Sequence, residues 1–286
     1  MTTYHSRTTR YGPDQHSHTQ ENSHIYSHNG SYAHLEEPIY KATAENIDYL
    51  AFTDCDIRSR FWKIIPLDDK YSHLDSIRKA RKLKIIGHPA LDSYDYTIWI
   101  DGNIDIIGNI NELLSLLDEH DLVTFKHPIR NCIYDEAMAC LRRKKDSIDA
   151  VKEQVEFLKR QGYPENNGLI ESNVLLRKKT AALEQAMNAW WEMVLNRSRR
   201  DQLSFNYIAL KHNLNFTVMG DDNARGNSKY FSFREKHLRR PPAERYSCHY
   251  RYSTYRATFY MRRACRKMIR HLAGLIYIGP NGAQSK

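Results

Sequence analysis

The chain has 286 residues, 41% hydrophobic and 27% charged, with a net charge of +9 and a mean hydropathy of −0.70. That length corresponds to one large domain or two small ones, with enough apolar residues for a core. No apolar run approaches the ~20 residues that span a bilayer, and Met1–Gly30 lacks the apolar stretch of a secretory leader; the composition excludes an integral membrane protein, a collagen and a small disulfide scaffold.

The charge is uneven. Residues 234–286 carry 13 Lys and Arg against two acids, while residues 1–233 carry 30 against 32. This reads as a near-neutral body with a basic extension that docks on something anionic. No nucleic acid is expected as partner, because the charge is not spread over a folded reading surface. The five cysteines, Cys55, Cys132, Cys140, Cys248 and Cys265, are scattered and form no C-x-x-C. They suit a reducing compartment and inert packing roles.

In chain order, residues 1–22 are rich in Thr, His, Ser and Gln and are expected to be a disordered tail. Residues 23–233 form the expected catalytic-type domain. Its candidate strands are His24–Ser27, Asp48–Thr53, Trp62–Leu67, Tyr96–Ile100, Leu122–Lys126, Ser172–Arg177 and Asn215–Val218. Candidate helices are Leu74–Ile86, Ile110–Glu119, Tyr134–Arg143, Ser147–Arg160, Ala181–Asn196 and Arg200–His212. Strands alternating with helices predict an α/β fold with a mostly parallel sheet flanked by helices. After Arg234 the alternation stops. In 234–286 a helix over Tyr255–Leu272 is predicted, with Ala257, Met261, Ala264, Cys265, Met268 and Leu272 on one side. Arg262, Arg263, Arg266, Lys267 and Arg270 lie mainly on the other. Such a helix lies on an anionic membrane surface or packs on the body with a solvated basic face.

The stretch Tyr94–Ile107 carries the chemistry. A hydrophobic strand runs into Asp101-Gly102-Asn103, and in open α/β sheets ligands bind at the carboxyl ends of strands. Asp101 and Asn103 offer two oxygen ligands of the kind that hold Mg²⁺ or Mn²⁺ together with substrate phosphates. An Asp-Gly-Asn turn is equally an ordinary loop. Asp105 is flanked by Ile104 and Ile106, which signals a return to packed structure. On the helix Leu74–Ile86, Arg78, Arg81 and Lys84 share an arc that could neutralise a diphosphate, or form a solvated basic face. His127 and Arg130 follow a strand and suit acceptor or phosphate binding, or a capped turn into the next helix. Asp135 and Glu136 suit a helix N-terminus.

The strand followed by Asp-Gly-Asn resembles the D-x-D element of nucleotide-sugar glycosyltransferases of the GT-A fold, with Asn103 in place of the commoner Asp. WKIIP (62–66), ARKLKI (80–85), YDYTIWIDGNI (94–104), FKHPIRNCIYDEA (125–137), GLIESNVLLRK (168–178) and RDQLSFNYI (200–208) occur in series. Together they resemble the glycosyltransferase-like domain family of plant mucilage and turgor-regulation proteins and of bacterial polysaccharide clusters. The resemblance implies a GT-A-like fold over roughly residues 23–215 and a metal-dependent glycosyltransferase of hexosyltransferase type. The donor would be a nucleotide-diphosphate sugar, UDP-linked first, and the acceptor a cell-surface glycan or lipid-linked intermediate. It implies a divalent cation, Mn²⁺ or Mg²⁺, on Asp101 and Asn103, with His237 as a third ligand. By the same analogy Asn29, in the turn after the first strand, and Asp54, after the second, line the nucleotide pocket. Arg81, Lys84, His127, Arg130 and Gln202 would bind donor or acceptor. Glu171 and Asp201 are the candidate carboxylates for deprotonating an acceptor hydroxyl if the reaction inverts. The expected location is cytoplasmic, peripheral on the inner membrane face through 255–272. The rival reading is a non-catalytic binding module with a polyanion-binding tail. A plant branch linked to ceramidase adds a lipid-amide hydrolase, for which the sequence shows no nucleophile motif.

Overall fold

In the computed structural model of the chain the described residues are 22–28, 35, 37–40, 47–53, 57–67, 71–220, 223–226 and 228–233. The expected tail up to residue 21, the basic extension 234–286, Cys55, Asn29, Asp54 and His237 lie outside them.

Seven strands form one sheet: β1 (Asn22–His28), β2 (Ile47–Thr53), β3 (Lys63–Pro66), β4 (Tyr96–Asp101), β6 (Leu122–Lys126), β7 (Ile170–Lys178) and β8 (Phe216–Val218). Their order is β3-β2-β1-β4-β7-β6-β8. All neighbours are parallel except β7, which runs antiparallel to both β4 and β6. The sheet is thus mixed, with one reversed strand in an otherwise parallel α/β arrangement. That reversal has a consequence for chemistry. The start of β7 lies at the same edge as the ends of β4 and β6. β5 (Ile104–Ile106) and β9 (Phe231–Phe233) pair antiparallel in a second, two-stranded sheet. Each has three residues, too few to show an alternation in sequence.

Among the described residues five helices accompany the sheet: α1 (Ser76–Ile85), α2 (Ile133–Arg142), α3 (Ile148–Arg160), α4 (Ala181–Asn196) and α5 (Phe205–Lys211). Local chemistry sets their ends. Asp75 caps α1 by accepting from the amides of Ile77 and Arg78, Ser147 caps α3 and Thr180 caps α4, each satisfying amides that a helix start leaves free. Gly87, with φ of +87° just beyond α1, takes the left-handed conformation that closes the helix.

Two predicted helices differ. Ile110–Leu117 is a 3₁₀ segment, with Ile110 and Leu113 stacked inward at a spacing of three. The expected helix 200–212 is split into a 3₁₀ turn, Asp201–Leu203, and α5. Tertiary contacts made by Asp201 and its carbonyl hold that turn and override the local propensity.

Alternation along the strands divides the core. Trp99 and Leu175 join Leu50, Phe52, Leu83, Ile85, Trp190 and Phe205 in one cluster. Ile98, Ile100, Val174 and Leu176 join Ile104, Ile110, Phe125 and Phe231 in another. Asp101 follows Trp99 by two positions and therefore shares its face. Cys132 and Cys140 are buried free thiols, and burial pushes the Cys140 thiol up to about 11, as suits an inert packing residue.

Candidate active site

The carboxyl edge of the sheet gathers Asp101 from the end of β4, Glu171 and Ser172 from the start of β7, and Asp201 from the turn before α5. Lys84, in the last turn of α1, is 1% exposed and points into this group. Its Nζ lies 2.9 Å from Asp201 Oδ2 and 3.3 Å from Asp101 Oδ1, and it donates to Ser172 Oγ at 3.0 Å. Ser172 in turn donates to Asp201 Oδ2 at 2.8 Å. Arg81 Nε stands 3.0 Å from Asp201 Oδ1, but its N–H is not aligned for a hydrogen bond. The contact is one of charge with charge. Of the expected cationic arc, then, Arg81 and Lys84 reach this site while Arg78 does not. Arg78 donates to the carbonyls of Val194 and Arg197 and pairs with Asp75, tying α1 to the end of α4.

Asp201 is 1% exposed. Burial alone would raise its pKa, but the charges of Arg81, Lys84 and Arg200, with the hydrogen bond from Lys84, hold it far below the usual carboxylate range. A carboxylate held in this way suits a fixed anion better than a proton acceptor. Its carbonyl accepts from Trp190 Nε1 at 3.0 Å. Gln202 is buried and donates to the Ile170 carbonyl at 3.0 Å, fastening the turn to β7.

Glu171 has the opposite environment. Burial pushes its pKa up, the charge and hydrogen bond of Arg225 oppose, and nearby Asp101 adds to the rise. Arg225 Nε donates to Glu171 Oε1 at 2.5 Å, and the Arg225 guanidinium stacks on Phe233 at 4.5 Å. Glu171 Oε2 is buried without a hydrogen-bond partner among the described residues.

Asp101 Oδ1 accepts from Trp99 Nε1 at 2.8 Å as well as facing Lys84. Its Oδ2 has no hydrogen-bond partner among the described residues, and the side chain is 25% exposed. Asn103 follows in the partly exposed turn between β4 and β5. A hard divalent cation fits this oxygen-donor pair. Asp105 is buried within β5. Among the described residues no group of three His, Cys, Asp or Glu side chains converges on one point.

His127 and Arg130 make the capped turn. His127 Nδ1 accepts from the amides of Ile129 and Arg130; Arg130 reaches His127 Nε2 at 3.0 Å and donates to Glu136 Oε2 at 2.6 Å. Burial, then the Arg130 charge, lower His127 to about 4 against an opposing effect of Glu136; Arg225 and Arg143 add to the fall. Glu136 is therefore a buried counterion and not only a helix-start acid. Sequence reading missed Trp99, Ser172, Arg225 and Arg177. Arg177 is buried and donates to the carbonyls of Lys84 and Ile85 and to Thr97 Oγ1, joining the end of α1 to the sheet. Burial lowers its pKa to about 10.

Residues 39–228 match the family TOD1/MUCI70, glycosyltransferase-like domain. The chain belongs to that family. No curated protein matches. Among solved structures, the TOD1/MUCI70 chain is similar to mouse xyloside xylosyltransferase 1 in its apo form, with 13% identity, a TM-score of 0.44, and coverage of 70% of this chain and 85% of that one. It is similar to the glycosyltransferase GlyE of Streptococcus pneumoniae TIGR4, with 10% identity, a TM-score of 0.40, and coverage of 71% and 46%. It is also similar to the apo bifunctional glycosyltransferase WbbM, with 11% identity, a TM-score of 0.43, and coverage of 70% and 39%. The chain thus spans less than half of the latter two.

Proposed function

We propose that this TOD1/MUCI70 domain transfers a sugar from a nucleotide-diphosphate donor, UDP-linked first, to a glycan or lipid-linked acceptor, with a divalent cation at Asp101 and Asn103. The observation that carries the reading is the assembly of partly exposed Asp101 with buried Lys84, Ser172 and Asp201 at the strand-end edge where α/β sheets bind ligands. A cation there would act as a Lewis acid toward the departing diphosphate. Asp101 would hold it through Oδ2, while Lys84 faces Asp101 through Oδ1. Asp201 fixes Lys84 and Arg81 in place. Glu171, with its raised pKa and unpartnered Oε2, is the carboxylate suited to take a proton from an acceptor hydroxyl.

Among the described residues no helix is long and apolar enough to cross a membrane. The basic stripe at 255–272 would place the enzyme peripherally on an anionic membrane face, in the cytoplasm, beside a lipid-borne acceptor.

The test is calorimetric titration of UDP into the full chain with and without Mn²⁺, beside Asp101→Ala. The expected result is Mn²⁺-dependent binding that the substitution abolishes. No binding of uridine, guanosine or cytidine diphosphate with metal present would remove the reading in favour of a non-catalytic binding module.

A further inference from the structure

Three polar atoms near the start of β7 are buried with no hydrogen-bond partner among the described residues: Glu171 Oε2 and both Oδ1 and Nδ2 of Asn173. Asn173 is 7% exposed and Glu171 3%. Buried amides are nearly always paired, because an unmade bond forfeits the hydration that the group had in the unfolded chain. An Asn with neither end satisfied is therefore a cost that the folded chain carries by itself.

The local backbone explains how the cost arises. Thr124 pairs with Leu175, yet the next residue of β6, Phe125, pairs with Glu171. Residues 172–174 are thus looped out of the β6 ladder, while Val174 still pairs with Ile100 of β4. The β4–β7 pairing ends there, with Asp101 the next residue on β4 and Asn173 the next along β7. On the chain, Asn173 adjoins Ser172, whose hydroxyl holds Lys84 and Asp201. The bulge thus sets Asn173 next in the chain to a residue of the candidate site, and its amide has no hydrogen-bond partner among the described residues. Bulges of this sort re-aim side chains next to active sites.

We infer that Asn173 is a recognition residue whose amide binds hydroxyls of the donor sugar, donating through Nδ2 and accepting through Oδ1. An amide with one donor and one acceptor end matches a polyhydroxylated ring, each of whose hydroxyls can do either. It matches a diphosphate poorly, because phosphate oxygens would leave Oδ1 unsatisfied. Asn173 therefore reads the sugar and not the nucleotide. This rests on the transferase reading above.

The experiment compares full-length wild type with Asn173→Leu, which keeps the side-chain shape and removes both polar ends. UDP and a panel of UDP-glucose, UDP-galactose, UDP-xylose and UDP-N-acetylglucosamine are titrated into each with Mn²⁺, and thermal midpoints are recorded without ligand. Wild type should bind at least one sugar nucleotide more tightly than UDP. The variant should lose that advantage, roughly tenfold or more for two hydrogen bonds, bind UDP as before, and melt no lower than wild type. Asn173→Ser, which keeps one polar end, should retain part of the advantage. Equal sugar dependence in wild type and Asn173→Leu overturns the inference. So does a variant that melts lower and loses UDP together with its sugars, since that is a structural role; if Asn173→Leu does not fold, an undiminished sugar advantage in Asn173→Ser overturns it instead. A wild type that binds neither UDP nor any sugar nucleotide overturns the transferase reading itself.

Discussion

Lys84 and Asp201 form an ion pair of 2.9 Å in which each side chain is 1% exposed. Two charges removed from water are tolerated only when each is fully compensated. Here Asp201 is met by Lys84, Arg81 and Ser172, and Lys84 by Asp201, Asp101 and Ser172. The pair links α1 to the turn before α5, so it supports the fold and sets the site at once.

Replacing Lys84 by Met leaves Asp201 buried with the Ser172 hydroxyl, the badly aligned Arg81 guanidinium and the charge of Arg200, and leaves Asp101 without its ammonium. Loss of one partner of a buried pair costs about 3 kcal/mol. Urea unfolding of Lys84→Met should show a lower midpoint and an unfolding free energy smaller by that amount. The double variant Lys84→Met with Asp201→Asn should lose less than the sum of the single losses, because the second change removes the stranded charge.

His127 makes stability depend on pH. In the unfolded chain it titrates near 6.5, and in the fold near 4. Between those values the unfolded chain binds a proton that the native state refuses, so protons favour unfolding. The contribution is complete above pH 6.5 and is lost as pH falls toward 4, about 3 kcal/mol at most. Thermal midpoints between pH 7 and pH 4 should fall for wild type. They should fall less for His127→Asn, whose side-chain oxygen can still accept from the amides of Ile129 and Arg130.

Gly108 has no room for a side chain: a Cβ there would stand 2.4 Å from the Lys229 carbonyl oxygen and 3.2 Å from Tyr230 Cα. Both obstacles are backbone. They belong to the strand approach in which Ile107 donates to Tyr230 and β5 pairs with β9. Gly108→Ala should destabilise the chain by roughly 2 kcal/mol. Since β5 begins just after the Asp101–Asn103 turn, Mn²⁺-dependent UDP binding should weaken in the same variant.

Much of this architecture was legible in sequence. All seven strands of the main sheet were predicted, because runs such as Tyr96–Ile100 are apolar, short and bounded by turn residues. The candidate helix Ala181–Asn196 has the bounds that α4 takes. The antiparallel course of β7 was not legible, since direction is set by pairing with β4 and β6 and leaves no local pattern. The break at Ser204 was hidden for a similar reason. Its cause is the grip of Lys84, Ser172 and Trp190 on Asp201, from residues far away in the chain. The strand-end Asp-Gly-Asn turn marked Asp101, the cationic arc of the helix Leu74–Ile86 marked Lys84, and the family resemblance marked Glu171 and Asp201 as candidates. Only geometry divides the carboxylates by charge environment, and only geometry brings in Arg225, which in sequence is one cation of a polar loop.

Arg225 should control the protonation of Glu171. Its side chain is 48% exposed, yet it donates to a carboxylate that is almost wholly buried. Burial raises the pKa of Glu171 and the guanidinium opposes that rise. Removing the cation lets burial act without opposition, so the group moves further up. If Glu171 takes the acceptor proton, the reaction needs it ionised and its rate falls on the acid side of its pKa. Arg225→Gln should therefore shift the acid limb of the pH–rate profile upward. Glu171→Gln should abolish that limb and lower the rate by roughly 10²- to 10⁴-fold. Initial rates of transfer to acceptor, or of donor hydrolysis, measured from pH 5 to pH 9 on the three proteins decide it. An acid limb that stays put in Arg225→Gln while the rate drops equally at every pH would mean that Arg225 holds substrate and that some other group titrates.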